Sequence, residues 1–213
     1  LAPSAIKMLK ERYENTRIGR QELYAEILED VEGALFNGPN IEKNRQEQMP
    51  EMQRIVVAID PAVTSNENSD ETGIIVCGRG IDDRFYIIED SSGIYSPDVW
   101  IKKAIQLYYH YKADTIIAET NNGGDLIEKL LRVQDVNVPY KSVRATRGKF
   151  LRAEPISSLY EQDKVSHLKF FKELEEQMRQ YTPSSIKSPD RLDALVWGIT
   201  SLLSSGRAVY KIS

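Results

Sequence analysis

Hydrophobic residues in the middle of the chain fall into short, nearly continuous runs separated by polar or glycine-containing segments. The clearest run, residues 55–59, is apolar at every position, which is typical of a strand covered on both faces. Two further runs, residues 73–79 and 84–90, are joined by a short turn and predict an antiparallel pair. Runs at residues 114–119 and 138–143 complete a predicted set of five strands.

Apolar spacings of three and four residues predict helices between and after these strands. Ser96-Pro97-Asp98 is a typical helix start, and Gly123-Gly124-Asp125 opens a second helix. Three more helical patterns cover residues 154–162, 168–181 and 190–203. Strands that follow a helix pair in parallel through right-handed crossovers, so the order β-β-β-α-β-α-β-α-α-α predicts a mixed five-stranded α/β sheet with helices on both faces.

The first 50 residues have a different pattern. Residues 1–36 show helical spacing, residues 37–40 form a strong breaker, and residues 41–50 are mostly polar. We therefore expect residues 1–50 to be a helical appendage and linker, and residues 51–213 to be the main domain. The chain begins with Leu1 rather than Met, so we expect a fragment or a trimmed product.

Three acidic residues end, or lie within, three separate apolar segments. Asp60 closes the first strand, Glu119 closes the fourth, and Asp193 lies in the last helical stretch. The first and fourth strands are predicted parallel neighbours, so Asp60 and Glu119 should emerge side by side, where a late helix can bring Asp193. A carboxylate in apolar surroundings needs a positive partner, and carboxylate oxygens suit Mg²⁺ or Mn²⁺. The pattern predicts a metal-dependent nuclease with two divalent ions, bridged by Asp60 and flanked by the other two acids.

Each acidic residue also has a purely structural explanation. Asp60 could be a turn residue and Glu119 a helix cap. Asp190 could be the N-cap of the last helix, although it shares a helical face with Asp193 and remains an accessory candidate. Asp125 is a second accessory candidate, and an acidic residue at a helix N-terminus is its ordinary explanation. Asp193 is hardest to explain in this way, because an unpaired carboxylate among apolar neighbours is costly.

One segment is strongly basic although the net charge of the chain is −4. Residues 141–152 carry five basic side chains and no acidic one, which alone would fit a solvated loop with a helix start. Beside a carboxylate cluster the segment favours phosphate binding, because the DNA backbone must be held near the metals. The predicted DNA-contacting residues are Lys141, Arg144, Arg147, Lys149 and Arg152.

Composition argues against several other classes of protein. The single cysteine, Cys77, excludes an internal disulfide framework and suits a reducing cytoplasm. With only two histidines as well, the chain offers little for a zinc site. No apolar run approaches the roughly 20 residues that cross a bilayer, so no membrane contact is expected. No G-x-x-x-x-G-K-[ST] motif occurs, which excludes a P-loop NTPase site within this sequence.

Five stretches, in this order along the chain, resemble segments of one known family: residues 19–23, 57–62, 117–121, 149–162 and 189–197. The family is the C-terminal nuclease domain of the large terminase subunit of tailed bacteriophages. The resemblance implies an RNase H-like fold that uses Mg²⁺ or Mn²⁺. It also implies cutting of double-stranded concatemeric viral DNA, with little sequence preference, during packaging in the host cytoplasm.

The resemblance also assigns residues and partners. By motif, Asp60, Glu119 and Asp193 are the metal ligands, and Asp190 matches a position where some members place an accessory His or Asp. The implied partners are double-stranded DNA, an upstream ATPase domain of the same polypeptide, the small terminase subunit and the portal of the procapsid.

Two kinds of alternative stay open. One is a non-catalytic docking module of a packaging motor, against which the three retained acids argue. The other is a different enzyme on a related fold. A resolvase or transposase would share the acids, whereas an actin- or sugar-kinase-like ATPase would need a Gly and Thr/Ser phosphate loop where Pro61-Ala62-Val63 stands.

Overall fold

The computed structural model describes residues 31–62, 71–120, 124–185 and 189–205, with the side chains of residues 124, 125 and 205 left aside. Within these ranges six strands form one sheet in the order β5-β4-β1-β2-β3-β6. The strands are β1 Met52–Asp60, β2 Gly73–Gly80, β3 Phe85–Asp90, β4 Thr115–Glu119, β5 Tyr140–Val143 and β6 Val165–His167. The helices are α1 Gly38–Lys43, α2 Pro97–His110, α3 Gly124–Gln134, α4 Lys149–Glu161, α5 Lys172–Gln180 and α6 Asp190–Ser205.

The sheet combines antiparallel and parallel pairing. Strands β1, β2 and β3 form an antiparallel meander. On the other side of β1, strand β4 runs parallel to it, and β5 runs parallel to β4. Strand β6 pairs in parallel with β3 at the far edge. The mixed, RNase H-like α/β arrangement predicted from the sequence is confirmed.

The sixth strand was not predicted. It contains only Val165, Ser166 and His167, all of them buried, so it is too short and too polar to give an alternating pattern. Its polar side chains find partners inside the domain: Ser166 accepts a hydrogen bond from Arg84 at 2.8 Å, and His167 is 2.7 Å from the Tyr160 hydroxyl. These side-chain bonds satisfy polar groups that burial would otherwise penalise.

Helices cover both faces of the sheet, as predicted. Alternate residues of the central strands point to opposite faces, because side chains in a strand alternate. On one face Val57 and Ile74 pack in a cluster with Trp100 of α2 and Leu131 of α3. On the other face the cluster is formed by α4, α5 and α6 over residues that include Val56, Ile75, Cys77, Ile156, Leu195 and Ile199.

Helix α6 lies unusually close to the sheet because glycine stands at two contact points. A Cβ atom at Gly198, in the middle of α6, would be 2.5 Å from the Sγ atom of Cys77 on β2. A Cβ atom at Gly73, the first residue of β2, would overlap the backbone carbonyl of Asp190. The absence of these two side chains allows the first turn of α6 to sit directly on the end of the sheet.

Residues 41–50 were expected to form a linker, and this was wrong. Ile41 in helix α1 is 1% exposed, and the Gln46 amide donates to the His167 carbonyl. Just upstream, the Phe36 ring meets the Tyr160 ring edge-on at 5.5 Å. The segment is polar because it contributes to a buried polar network, not because it is solvated. The helical pattern predicted for residues 1–30 lies outside the described residues, so the division at residue 50 stays a prediction.

This buried network connects α1 and the residues just after it to the rest of the domain. Arg45 donates to both carboxylate oxygens of Glu175 at 2.8 Å, and His167 lies 2.9 Å from the same carboxylate. Glu175 and His167 are completely buried. Burial alone would raise the pKa of Glu175, but hydrogen bonds from Arg45 and His167 hold it at about 2. A second carboxylate, Glu42, accepts from Arg45 as well.

None of the helices in the described ranges is both long enough and apolar enough to cross a membrane.

Candidate active site

The strand pairing places Asp60 and Glu119 at the same edge of the sheet. Ile59 of β1 is in register with Ala118 of β4, and the two strands are parallel. The following residues, Asp60 and Glu119, therefore leave the sheet side by side, as predicted from the topology. Both are partly buried, because helix α6 crosses above them.

Helix α6 brings two more carboxylates to this edge. Asp193 is 3% exposed and Asp190, in the first turn, is 6% exposed. The neighbouring Arg191 fixes this turn to the sheet: its guanidinium donates two bonds of 2.9 Å to Glu71 and one of 2.9 Å to Asp90 at the end of β3. Such a bidentate arginine pair is among the stronger charge-assisted contacts in proteins. The position of Asp193 over the strand ends is thus fixed from both sides of α6.

Two cationic side chains from helix α4 reach into the acidic group. The Lys149 Nζ atom is 2.5 Å from Asp193 Oδ2. The guanidinium of Arg152 is 3.3 Å from Glu119 Oε2 and 3.8 Å from Asp193 Oδ1. Lys149 and Arg152 are three residues apart, so they lie on the same helical face. The sequence predicted both as DNA contacts, whereas the structure places them against the carboxylates.

A tryptophan completes the site. The indole N–H of Trp197, one helical turn after Asp193, donates to Glu119 Oε2 at 2.6 Å. The Arg152 guanidinium lies 4.5 Å from the centre of the same ring. Sequence analysis noted only that Trp197 shares a face with Asp193. That i, i+4 spacing was the available signal, but the hydrogen bond to Glu119 depends on how α6 crosses β4.

The acidic group carries more negative charge than the protein alone neutralises comfortably. Burial, and then the nearby Asp193, raise the pKa of Asp60 to about 8. Burial also raises the pKa of Asp193, against the opposing effects of Lys149 and Arg152. Burial alone would lower the pKa of Lys149, but Asp193, Asp60 and Asp190 raise it. The site therefore favours additional positive charge.

This surplus of negative charge leads to a prediction about stability. With the folded-state pKa of Asp60 at about 8 and its ordinary value at 3.8, folded protein binds a proton in this window that the unfolded chain has lost. The metal-free protein should therefore lose stability as the pH rises from about 4 to about 8. Asp60→Asn should remove this cost and raise the unfolding temperature in EDTA at pH 8, by roughly 2–4 °C per kcal/mol gained.

The measurement is thermal unfolding by circular dichroism at pH 5 and pH 8, with Asp163→Asn as the contrasting variant. Hydrogen bonds from Asn44 and Lys43 lower the pKa of the exposed Asp163, so its replacement should not stabilise the protein. An Asp60→Asn protein less stable than wild type at pH 8 would contradict the prediction.

The side chains at this edge fit a hard divalent cation in their chemistry. Their donors are carboxylate oxygens, which Mg²⁺ and Mn²⁺ prefer, and their raised pKa values show a need for positive charge. In the described part of the chain no three acidic, histidine or cysteine side chains are already gathered into a metal cage. Glu119 and Asp193 are instead held by Lys149, Arg152 and Trp197.

The remaining predicted residues have different surroundings. Lys141, Arg144 and Arg147 are exposed. They belong to β5 and the loop after it, and β5 pairs with β4 so that Val143 is in register with Glu119. The basic loop thus starts beside Glu119. Asp125 lies in the first turn of α3, but its side chain is outside the described set.

Comparison with known proteins identifies the family. The family model of the terminase RNaseH-like domain matches residues 57–202, which are well over half of the 213 residues. This match favours a terminase over the resolvase, transposase and kinase-like alternatives. A search of curated proteins found no match.

Solved structures of terminases share the fold. The large terminase of a thermophilic bacteriophage is 12% identical with a TM-score of 0.62, over 83% of this chain and 46% of that protein. This chain thus spans about half the length of that large terminase. A mutant nuclease domain of the large terminase subunit of bacterial virus Sf6, solved with manganese and β-thujaplicinol, is 11% identical with a TM-score of 0.59, over 78% and 98% of the chains. The large terminase nuclease of thermophilic phage G20c with bound zinc is 14% identical with a TM-score of 0.55, over 76% and 98%.

The strand order, the acidic edge and the family match agree with one another. The chain belongs to the terminase RNase H-like domain family and has the fold of large terminase nuclease domains.

Proposed function

We propose that this chain is a divalent-metal-dependent endonuclease that cuts double-stranded viral DNA during genome packaging. The observation that supports this most strongly is the meeting of Asp60, Glu119 and Asp193, from β1, β4 and α6, at one edge of the sheet. Three separate elements of the fold contribute one carboxylate each, and their mutual repulsion would be relieved by Mg²⁺ or Mn²⁺. Relatives solved with manganese and zinc support the use of a divalent metal.

In this proposal Asp60, Glu119 and Asp193 hold the metal, with two ions as the expected number and Asp190 as an accessory acid. When bound, two such ions supply an activated water and neutralise charge at the scissile phosphate. Lys149 and Arg152 balance the carboxylate charge in the free protein and face the place where a phosphate would enter. Asp125 remains a candidate accessory acid.

The exposed basic residues would hold the DNA. Lys141, Arg144 and Arg147 extend from the edge strand next to Glu119, so a backbone bound there would pass close to the carboxylates. Contacts to phosphates position DNA without reading its sequence. This arrangement supports cutting with little sequence preference, as expected for processing of concatemers.

The larger assembly is also part of the proposal. The large terminase of the thermophilic bacteriophage is about twice as long as the matched region and has also been solved in complex with ADP. This similarity supports an ATPase domain upstream in the same polypeptide as the present chain. The small terminase subunit and the portal of the procapsid would be further partners, and the host cytoplasm the place of action.

The test is cleavage of supercoiled plasmid by this chain in EDTA, Mg²⁺ or Mn²⁺. We expect relaxed and linear DNA only with metal, and no cutting by Asp60→Asn in any buffer. Circular dichroism would confirm that both proteins are folded. A folded wild-type protein that cuts at no metal concentration would overturn the autonomous nuclease, and would favour a docking module or a nuclease that needs its partner domain.

A further inference from the structure

The indole of Trp197 is an uncharged hydrogen-bond donor directed at Glu119 Oε2. Its N···O distance of 2.6 Å is short for such a bond. Indole has one N–H donor and no acceptor, so its role does not change with pH. A charged contact to the same oxygen comes from the Arg152 guanidinium at 3.3 Å.

The ring is fixed by the same strands that carry the acids. Trp197 is 7% exposed and packs against Ala58 of β1 and Ile117 of β4. Ala58 lies two residues before Asp60, and Ile117 two residues before Glu119, so each is on the same strand face as the acid that follows it. Any movement of the strand ends therefore moves the ring and the carboxylates together.

We propose that Trp197 is a positioning residue that holds the Glu119 carboxylate in its metal-binding orientation. This inference rests on the proposed function, in which Glu119 is a metal ligand. Arg152 cannot fill the same role, because its positive charge opposes a cation at the site. The neutral indole donor keeps Glu119 in place without adding charge.

Donors behind a metal ligand orient it, and their loss typically weakens metal binding by about 10–100-fold. Trp197→Phe keeps an aromatic ring beneath Arg152 but loses the N–H donor. We therefore expect it to bind Mn²⁺ about 10–100-fold more weakly than the wild type. The affinity is measured by titration calorimetry, or by the electron paramagnetic resonance signal of free Mn²⁺, without DNA.

The chain offers a matched control in Trp100, its other tryptophan. Trp100 is 3% exposed in α2, on the opposite face of the sheet. Trp100→Phe makes the same chemical change in a core position, so it should reduce thermal stability and leave Mn²⁺ affinity unchanged. A purely structural role for Trp197 predicts the same outcome for both variants.

A second variant separates the indole from the arginine. Arg152→Met removes the cation and leaves the Trp197 N–H, so it should bind Mn²⁺ as tightly as the wild type or more tightly. Weakening by Arg152→Met to the level of Trp197→Phe would overturn the inference, as would wild-type Mn²⁺ affinity in Trp197→Phe. A folded wild-type protein that binds no Mn²⁺ would overturn the proposed function and this inference together, whereas equal binding by wild type and Trp197→Phe overturns the inference alone.

Discussion

Replacement of Asp193 by Asn should lower the rate of metal-dependent plasmid cleavage by about 10³-fold or more, because a metal ligand contributes to several kcal/mol of transition-state stabilisation. The amide has the shape of the carboxylate but no charge. Asp193 is 3% exposed, and Lys149 and Arg152 both approach it. In the variant these two cations would face one carboxylate fewer, and the site would lose part of its attraction for a divalent ion.

The comparison should use Asp163→Asn as the control for loss of one acidic residue. Asp163 is paired with Lys43 at the surface, and its side chain is 43% exposed. This variant should cut at the wild-type rate, and both proteins should show wild-type circular dichroism. An Asp193→Asn protein that keeps its cleavage rate within about tenfold of wild type would remove Asp193 from the catalytic group.

Arg45→Met should destabilise the domain by about 3–5 kcal/mol, the usual cost of leaving a buried charge without its partner. Glu175 is fully buried and receives two of its bonds from Arg45. For a chain of this size the unfolding temperature should fall by roughly 2–4 °C for each kcal/mol lost. The measurement is urea or thermal unfolding at neutral pH.

The pH dependence gives an independent readout of the same pair. The pKa of Glu175 lies at about 2 in the folded protein and near 4.5 when unfolded, so the stability from this pair is present above about pH 4.5 and is lost as the pH falls toward 2. Arg45→Met should lose that part of the pH dependence. The matched control is Lys43→Met at the end of α1, because its ion pair is largely exposed and such pairs contribute about 0–1 kcal/mol. Equal stability of the two variants would show that this segment does not dock through Glu175.

The sheet and the position of two acids could be predicted because they depend on patterns along the chain. The apolar runs predicted β1 and β4, and their parallel pairing followed from the crossover connection. This placed Asp60 beside Glu119 before the structure was considered. Their role as metal ligands stays a prediction, because it depends on chemistry that strand pairing does not test.

Contacts between distant polar residues could not be predicted in the same way. Arg45 and Glu175 are 130 residues apart, and neither interrupts an apolar run, so no local pattern connects them. Lys149 and Arg152 looked like phosphate contacts because they belong to a basic segment. Helix α4 begins at Lys149, five residues before the predicted helix, and this directs both side chains toward the acids.

The two glycines beneath α6 have a consequence for how variants of this domain would be interpreted. Neither Gly73 nor Gly198 carries a functional group, yet a side chain at either position would collide with the opposite element and lift the helix that bears Asp193. A genetic screen for loss of cleavage would therefore return substitutions at both positions together with those at the acids. Without the structure, such a screen would mistake spacing for chemistry.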